Sequence, residues 1–166
     1  MECLAFTATI HLGVPMSHTV EITNLLIRDL NALQRAAERL GLEFVANQRT
    51  YRWFGQSVGD HPLPIGFTKE EMGLCEHALR IPNNDTAYEI GIVTRRDGQP
   101  GYALHWDYYR GGYGLTNKIG EEGERLRQAY ALEVTLGQLA EMNHCVLSQT
   151  QLADGSIELE LGQIGA

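Results

Sequence analysis

His105 and Asp107 stand two apart in a stretch, Tyr102 to Tyr109, whose side chains alternate as on an extended strand. Residues two apart on a strand point to one face, so an imidazole and a carboxylate are expected side by side. That pair is a general-base arrangement. His77 lies two residues from Cys75 on a second candidate strand, and its addition gives a set of zinc or iron ligand types. The plain alternative is a polar sheet face on which Asp107 accepts from a backbone N–H or an arginine. No HExxH, CxxC or other ligand spacing accompanies the three residues. They therefore stand as catalytic candidates without a motif, and neither a bound metal nor a cofactor is expected.

Other chemistry is thinner. Ser17, Ser57, Ser148 and Ser156 lack the GxSxG context of a hydrolase nucleophile. Cys145 directly follows His144 and reads as a small hydrophobe of a sheet, whereas Cys75, at a loop edge, is the better candidate for a reactive thiol. Gly111-Gly112-Tyr113-Gly114 has the glycine content of a phosphate cradle, but Lys118 is followed by Ile119 rather than a hydroxyl residue, and GxGxxG is absent. Tyr51, Trp53, Phe54, Trp106, Tyr108, Tyr109 and Tyr113 form an aromatic-rich set. Most must pack internally. Alternation sends Leu104 and Trp106 to the core and His105, Asp107 and Tyr109 to the opposite face. Tyr109, Arg110 and Tyr113, joined by Arg52, are thus the expected binding surface, carried by a mobile glycine loop. These are the residue types that carry protein interfaces, and the same types stack single-stranded bases. The plain alternative for the loop is a sharp turn into the next helix.

The elements that hold these residues follow from periodicity and punctuation. Asp29 is an N-cap for a helix to Leu40, with Leu30, Leu33, Ala36, Ala37 and Leu40 at helical spacing and Gly41 as its stop. Strands are expected at Leu42–Ala46, Thr50–Phe54, Cys75–Ile81, Tyr88–Thr94 and Tyr102–Tyr109. Residues 55–74 read as a loop, with Thr68 capping one short helical turn. A long helix is expected from Glu121 to Met142, then a hairpin of Cys145–Leu152 and Ile157–Leu161 over Asp154-Gly155. The order is β-α-β-β, a loop and strand insertion, then β-α-β-β. It predicts an α+β, two-layer sandwich: a mostly antiparallel sheet with two main helices on one face.

Residues 1–15 carry no clear period and end at Pro15, so they read as a dispensable N-terminal arm, with Met16 as the start and residues 16–166 as one domain. The alternative is an N-terminal strand through Phe6, Ala8 and Ile10. The first residues lack a basic n-region and an A-x-A site, so they are not read as a signal peptide. Three cysteines without CxxC fit reduced thiols and a cytoplasmic location. A net charge of −8 disfavours DNA, RNA and acidic membrane surfaces. No apolar run approaches the roughly 20 residues that span a bilayer.

Met16-Ser17-His18, Ile27-x-Asp29 and Arg35-Ala36-x-x-x-Leu40-Gly41-Leu42-Glu43 form an ordered set of motifs. Tyr88-Glu89-Ile90-Gly91, Trp106-Asp107, Leu126-x-Gln128-x-Tyr130-Ala131 and Asp154-Gly155-Ser156-Ile157 continue it. Together they resemble the domain family of unknown function numbered twelve fifty-seven, which includes the plastid and cyanobacterial hypothetical reading frame thirty-five. The resemblance runs from Met16 to about Leu161, with residues 56–76 longer than in the plastid members. It transfers no catalytic residue. It implies a subunit or adaptor, since bacterial members neighbour genes for MoxR-type AAA+ ATPases. The leading expectation is therefore a non-enzymatic binding or adaptor domain with a protein partner, and homo-oligomerisation stays open. The alternative is a small metal- or acid/base-dependent enzyme using His105, Asp107 and His77. A nucleic-acid module is third.

Overall fold

The computed structural model describes residues 6–10, 26–55 and 62–164. The proposed start at Met16, with Ser17 and Ser57, lies outside the described residues. The chain is α+β, with its strands in two antiparallel sheets and helices layered on them. Its contacts gather in two units, residues 18–130 and residues 1–17 with 131–166. The boundary falls between Tyr130 and Ala131 inside a helix, so no linker composition marks it.

In the larger unit, α1 (Leu30–Arg39) starts where Asp29 Oδ1 accepts from the N–H groups of Asn31 and Ala32 at 2.8 and 3.0 Å. That satisfies two of the unpaired amides of the first turn. The phenol oxygen of Tyr130 accepts from the N–H groups just outside the helix, Arg28 at 3.0 Å and Asp29 at 3.2 Å. The helix ends as expected: Gly41 takes φ +68°, and the Leu42 N–H returns to the Ala37 carbonyl at 2.9 Å. This turn brings α1 back along β2 (Glu43–Val45), with Ala32, Leu33, Ala36 and Ala37 buried.

The sheet of this unit runs β2, β3 (His77–Arg80), β4 (Ile90–Thr94), β5 (Tyr102–His105). Register fixes its faces. His77 is opposite Ile92 and Ile92 opposite Leu104, so these three share one face; Ala78, Gly91 and His105 share the other. The second face is covered by a layer of irregular chain. Thr50–Phe54, expected as a strand beside Leu42–Ala46, instead crosses this face: the Tyr51 N–H donates to the Gly73 carbonyl, Cys75 N–H to Arg49 and Glu89 N–H to Arg52. Tyr51, Cys75, Ala78, Val93 and Ala103 form its core, with Trp53 and Phe67 against them. A Cβ at Gly91 would overlap the Tyr51 ring, so that strand position accepts only glycine. Beyond it, Lys69–Glu71 makes the short helical turn expected after Thr68, whose N–H donates to Glu71 Oε2 at 3.0 Å.

In the smaller unit, β7 (Ile157–Gln163) pairs on one side with β6 (His144–Gln151) and on the other with β1 (Phe6–Ile10). Part of the segment read as a dispensable arm is thus a strand, paired residue for residue from Phe6 opposite Leu161 to Ile10 opposite Ile157. The second half of α3 (Glu124–Glu141) packs Leu132, Leu136 and Leu139 against Val146, Ile157, Leu159 and Leu161. A short helix, α2 (Leu115–Ile119), precedes α3 where the sequence indicated only loop. No helix among the described residues is long and apolar enough to cross a membrane.

Candidate functional site

The structure does not bring His77, His105 and Asp107 together. His77 lies on one sheet face and His105 on the other. The His77 ring sits 5.5 Å from Phe44 and 6.1 Å from Tyr102, and its Nδ1 accepts from the Asn47 N–H at 3.0 Å. The expected strand to Tyr109 ends at His105. His105 is buried rather than presented to solvent, at 4% exposure, because the irregular layer covers the face that alternation assigned to water. Its ring lies 4.7 Å from Phe67, and its Nε2 has no hydrogen-bond partner. Burial, with the Arg96 cation nearby, pulls its pKa down to about 4. Asp107 lies past the strand end as a backbone staple: Oδ1 accepts from the Tyr109 N–H at 2.8 Å and Oδ2 from the Phe54 N–H at 3.2 Å.

Neighbouring groups on the covered face are held neutral as well. Burial pushes Tyr51 up to about 12. Burial, then the charges of Glu89 and Glu76, push Cys75 up to about 11. A nucleophile or base working near neutral pH needs shifts of the opposite sign. Cys75, expected as the reactive thiol, is buried and donates its S–H to the Gln48 carbonyl. Among the described residues, no three His, Cys, Asp or Glu side chains gather as a ligand set.

A different group of residues converges at the end of β5. Beyond the strand end at His105, the chain turns through Tyr109–Gly114 with φ of +51° at Arg110, +64° at Gly111, +56° at Gly112, +52° at Tyr113 and +107° at Gly114. Five consecutive left-handed residues make one turn of the wrong hand for L-amino acids. Glycine accepts this conformation freely, but Arg110 and Tyr113 do not. The turn is fixed rather than loose. The Gly112 carbonyl accepts from the Tyr88 N–H at 2.9 Å, and the Gly111 carbonyl accepts from the Thr116 hydroxyl at 3.2 Å. Gly112 is buried, and a Cβ there would press on Leu115 and the Asp107 carbonyl.

The rigid turn holds aromatic side chains outward. Phe54, Tyr108, Tyr109 and Tyr113 are 49, 38, 47 and 42% exposed, too much for core residues. Phe54 and Tyr109 pack at 5.4 Å, Tyr113 stands edge-on to the buried Tyr88 at 5.2 Å, and the Arg110 guanidinium lies 5.4 Å from the Tyr109 ring. Among the described residues, Arg110 has no carboxylate in ion-pair range. Of the four residues expected at this surface, Tyr109, Arg110 and Tyr113 share the turn. Arg52 braces the floor instead, donating to the Ala87 carbonyl at 2.7 Å and lying 3.6 Å from Glu89, whose Oε2 accepts from the Arg52 N–H at 2.8 Å. Tyr88 is the floor residue that sequence reasoning missed, because it reads as the start of a strand. Set against known proteins, the chain matches no family model, no curated protein and no solved structure.

Proposed function

We propose that the chain is a non-enzymatic protein-binding domain, an adaptor in a cytoplasmic assembly, and that the Tyr109–Gly114 turn is its contact surface. The supporting observation is the left-handed turn itself. Arg110 and Tyr113 each hold a conformation that costs about 1–2 kcal/mol, which glycine would avoid. Both side chains are largely exposed, and strain of this kind collects at functional sites. Tyrosine and arginine are the side chains enriched at binding hot spots, and a turn fixed in advance loses little freedom on docking. The net charge of −8 favours protein over nucleic acid as the partner.

The resemblance to the twelve fifty-seven family points to a MoxR-type AAA+ ATPase as that partner. The test is titration of a purified ATPase of this type, from the same cell, against the wild-type chain and the Arg110→Ala and Tyr113→Ala variants. Each variant is expected to melt near the wild type and to bind about 30-fold more weakly, the equivalent of about 2 kcal/mol. Failure of the wild type to bind sinks the choice of partner. Equal binding by both variants sinks the surface.

A further inference from the structure

The geometry points to a second, separate contact: we propose that the free edge of β6 pairs antiparallel with the β6 of a second copy of this chain, giving a two-fold dimer. In the sheet order β1–β7–β6, no strand among the described residues lies beyond β6. Among the described residues, its outer row of N–H and C=O groups thus meets no further strand. Proteins usually guard such an edge with lysine, proline or a short strand. β6 is eight residues long, and its sequence, HCVLSQTQ, holds no Lys, Arg, Asp, Glu or Pro. The residues from Leu147 to Gln151 are all exposed, so neither face of that stretch is covered. The only irregularity is a register shift between Val146 and Ser148, which leaves Leu147 52% exposed and Ser148–Gln151 straight.

Charge selects the occupant. Two copies each carrying −8 repel over most of their surfaces, and β7, the neighbour of β6, presents Glu158 and Glu160. β6 itself carries no Asp, Glu, Lys or Arg, so two copies meet there with the nearest carboxylates, Glu158 and Glu160, one strand behind the seam. A charged peptide gains no ion pair from this strand. A strand paired antiparallel with its own copy is self-complementary, as a two-fold interface requires. Centred on Gln149, the pairing sets Ser148 of one copy opposite Thr150 of the other on the same face, where the Thr150 hydroxyl can donate to Ser148 Oγ, whose own O–H donates to Glu160 at 2.9 Å.

The test uses the full chain. Sedimentation velocity over increasing concentration should show a reversible shift from 18.5 kDa toward twice that mass. Hydrogen exchange should slow at Leu147–Gln151 as the dimer forms. The double variant Ser148→Lys, Thr150→Lys places each lysine opposite Glu160 or Glu158 of its own β7, which favours the fold, while four lysines converge across the dimer. It should stay monomeric and melt like the wild type. Tyr113→Ala should dimerise normally, which separates this edge from the aromatic turn. A wild type that stays monomeric into the millimolar range overturns the proposal. So does a dimer without new protection at Leu147–Gln151, a reading that needs no variant, or a folded double variant that still dimerises.

Discussion

Replacing Arg110 by alanine and, separately, by glycine isolates the strain in the left-handed turn. Both changes remove the guanidinium and its contact with the Tyr109 ring, so the difference between them reports the backbone at φ +51°. At an ordinary helix or strand position alanine is the more stable by about 0.5–1 kcal/mol, because glycine loses more freedom on folding. Here alanine keeps a left-handed cost of about 1–2 kcal/mol that glycine escapes. Subtracting the about 0.5–1 kcal/mol that glycine loses leaves it ahead by about 0–1.5 kcal/mol, centred near about 0.75 kcal/mol, a reversal of the usual order. For a chain of this size the centre of that range is about 1.5–3 °C in Tm. Paired urea and thermal melts at equal protein concentration would measure it. Alanine equal to or above glycine would refute the strained-turn reasoning. Capture of the partner should fall equally in both variants, since each lacks the same side chain.

Three further outcomes follow from the covered sheet face. The unfolded chain protonates His105 near pH 6.5 while the folded chain resists until about pH 4, so its contribution to stability is complete above 6.5 and is lost between those values as pH falls; the loss has a limiting slope of about 1.4 kcal/mol per pH unit, and His105→Leu should flatten it in urea melts from pH 7 to 4. Gly91→Ala drives a methyl into the Tyr51 ring and should cost about 1–3 kcal/mol in urea titration, with much of the loss absent in a Tyr51→Ala background. Cys75, with its pKa raised to about 11, should be slow toward thiol reagents at pH 7.5, so Cys75→Ala should leave native labelling unchanged while removing one thiol from the denatured count.

Local chemistry announced itself well along this chain. Asp29 and Gly41 bound α1 in the sequence as in the structure, and Asp154-Gly155 turns between β6 and β7 where the dipeptide stands. Alternation failed where both sides of a strand are covered. Leu104 and His105 point opposite ways and are both buried, because a layer with no period of its own lies over the second face. Nothing in Arg49–Phe54 separates a strand from a chain crossing a sheet, since the pairing that decides it runs to Gly73 and Glu89. The aromatic turn was legible in composition, through Tyr109, Arg110 and Tyr113, but not in shape. Its hand is imposed by Asp107, which grips the Tyr109 N–H, and by the Tyr88 N–H, which holds the Gly112 carbonyl.

The hydroxyl of Tyr130 has a bearing on how the chain is made. It accepts from backbone groups 101 and 102 residues earlier, at the mouth of α1. Ribosomes add about 5–20 residues per second, so the mouth of that helix waits roughly 5–20 s for its phenol, while helix turns open and close in about a microsecond. Through that interval the carboxylate of Asp29 alone caps the first turn. Loss of that carboxylate should therefore be felt more sharply by the nascent chain, exposed to proteases as it emerges, than by the finished protein, where Tyr130 also holds the chain leading into α1.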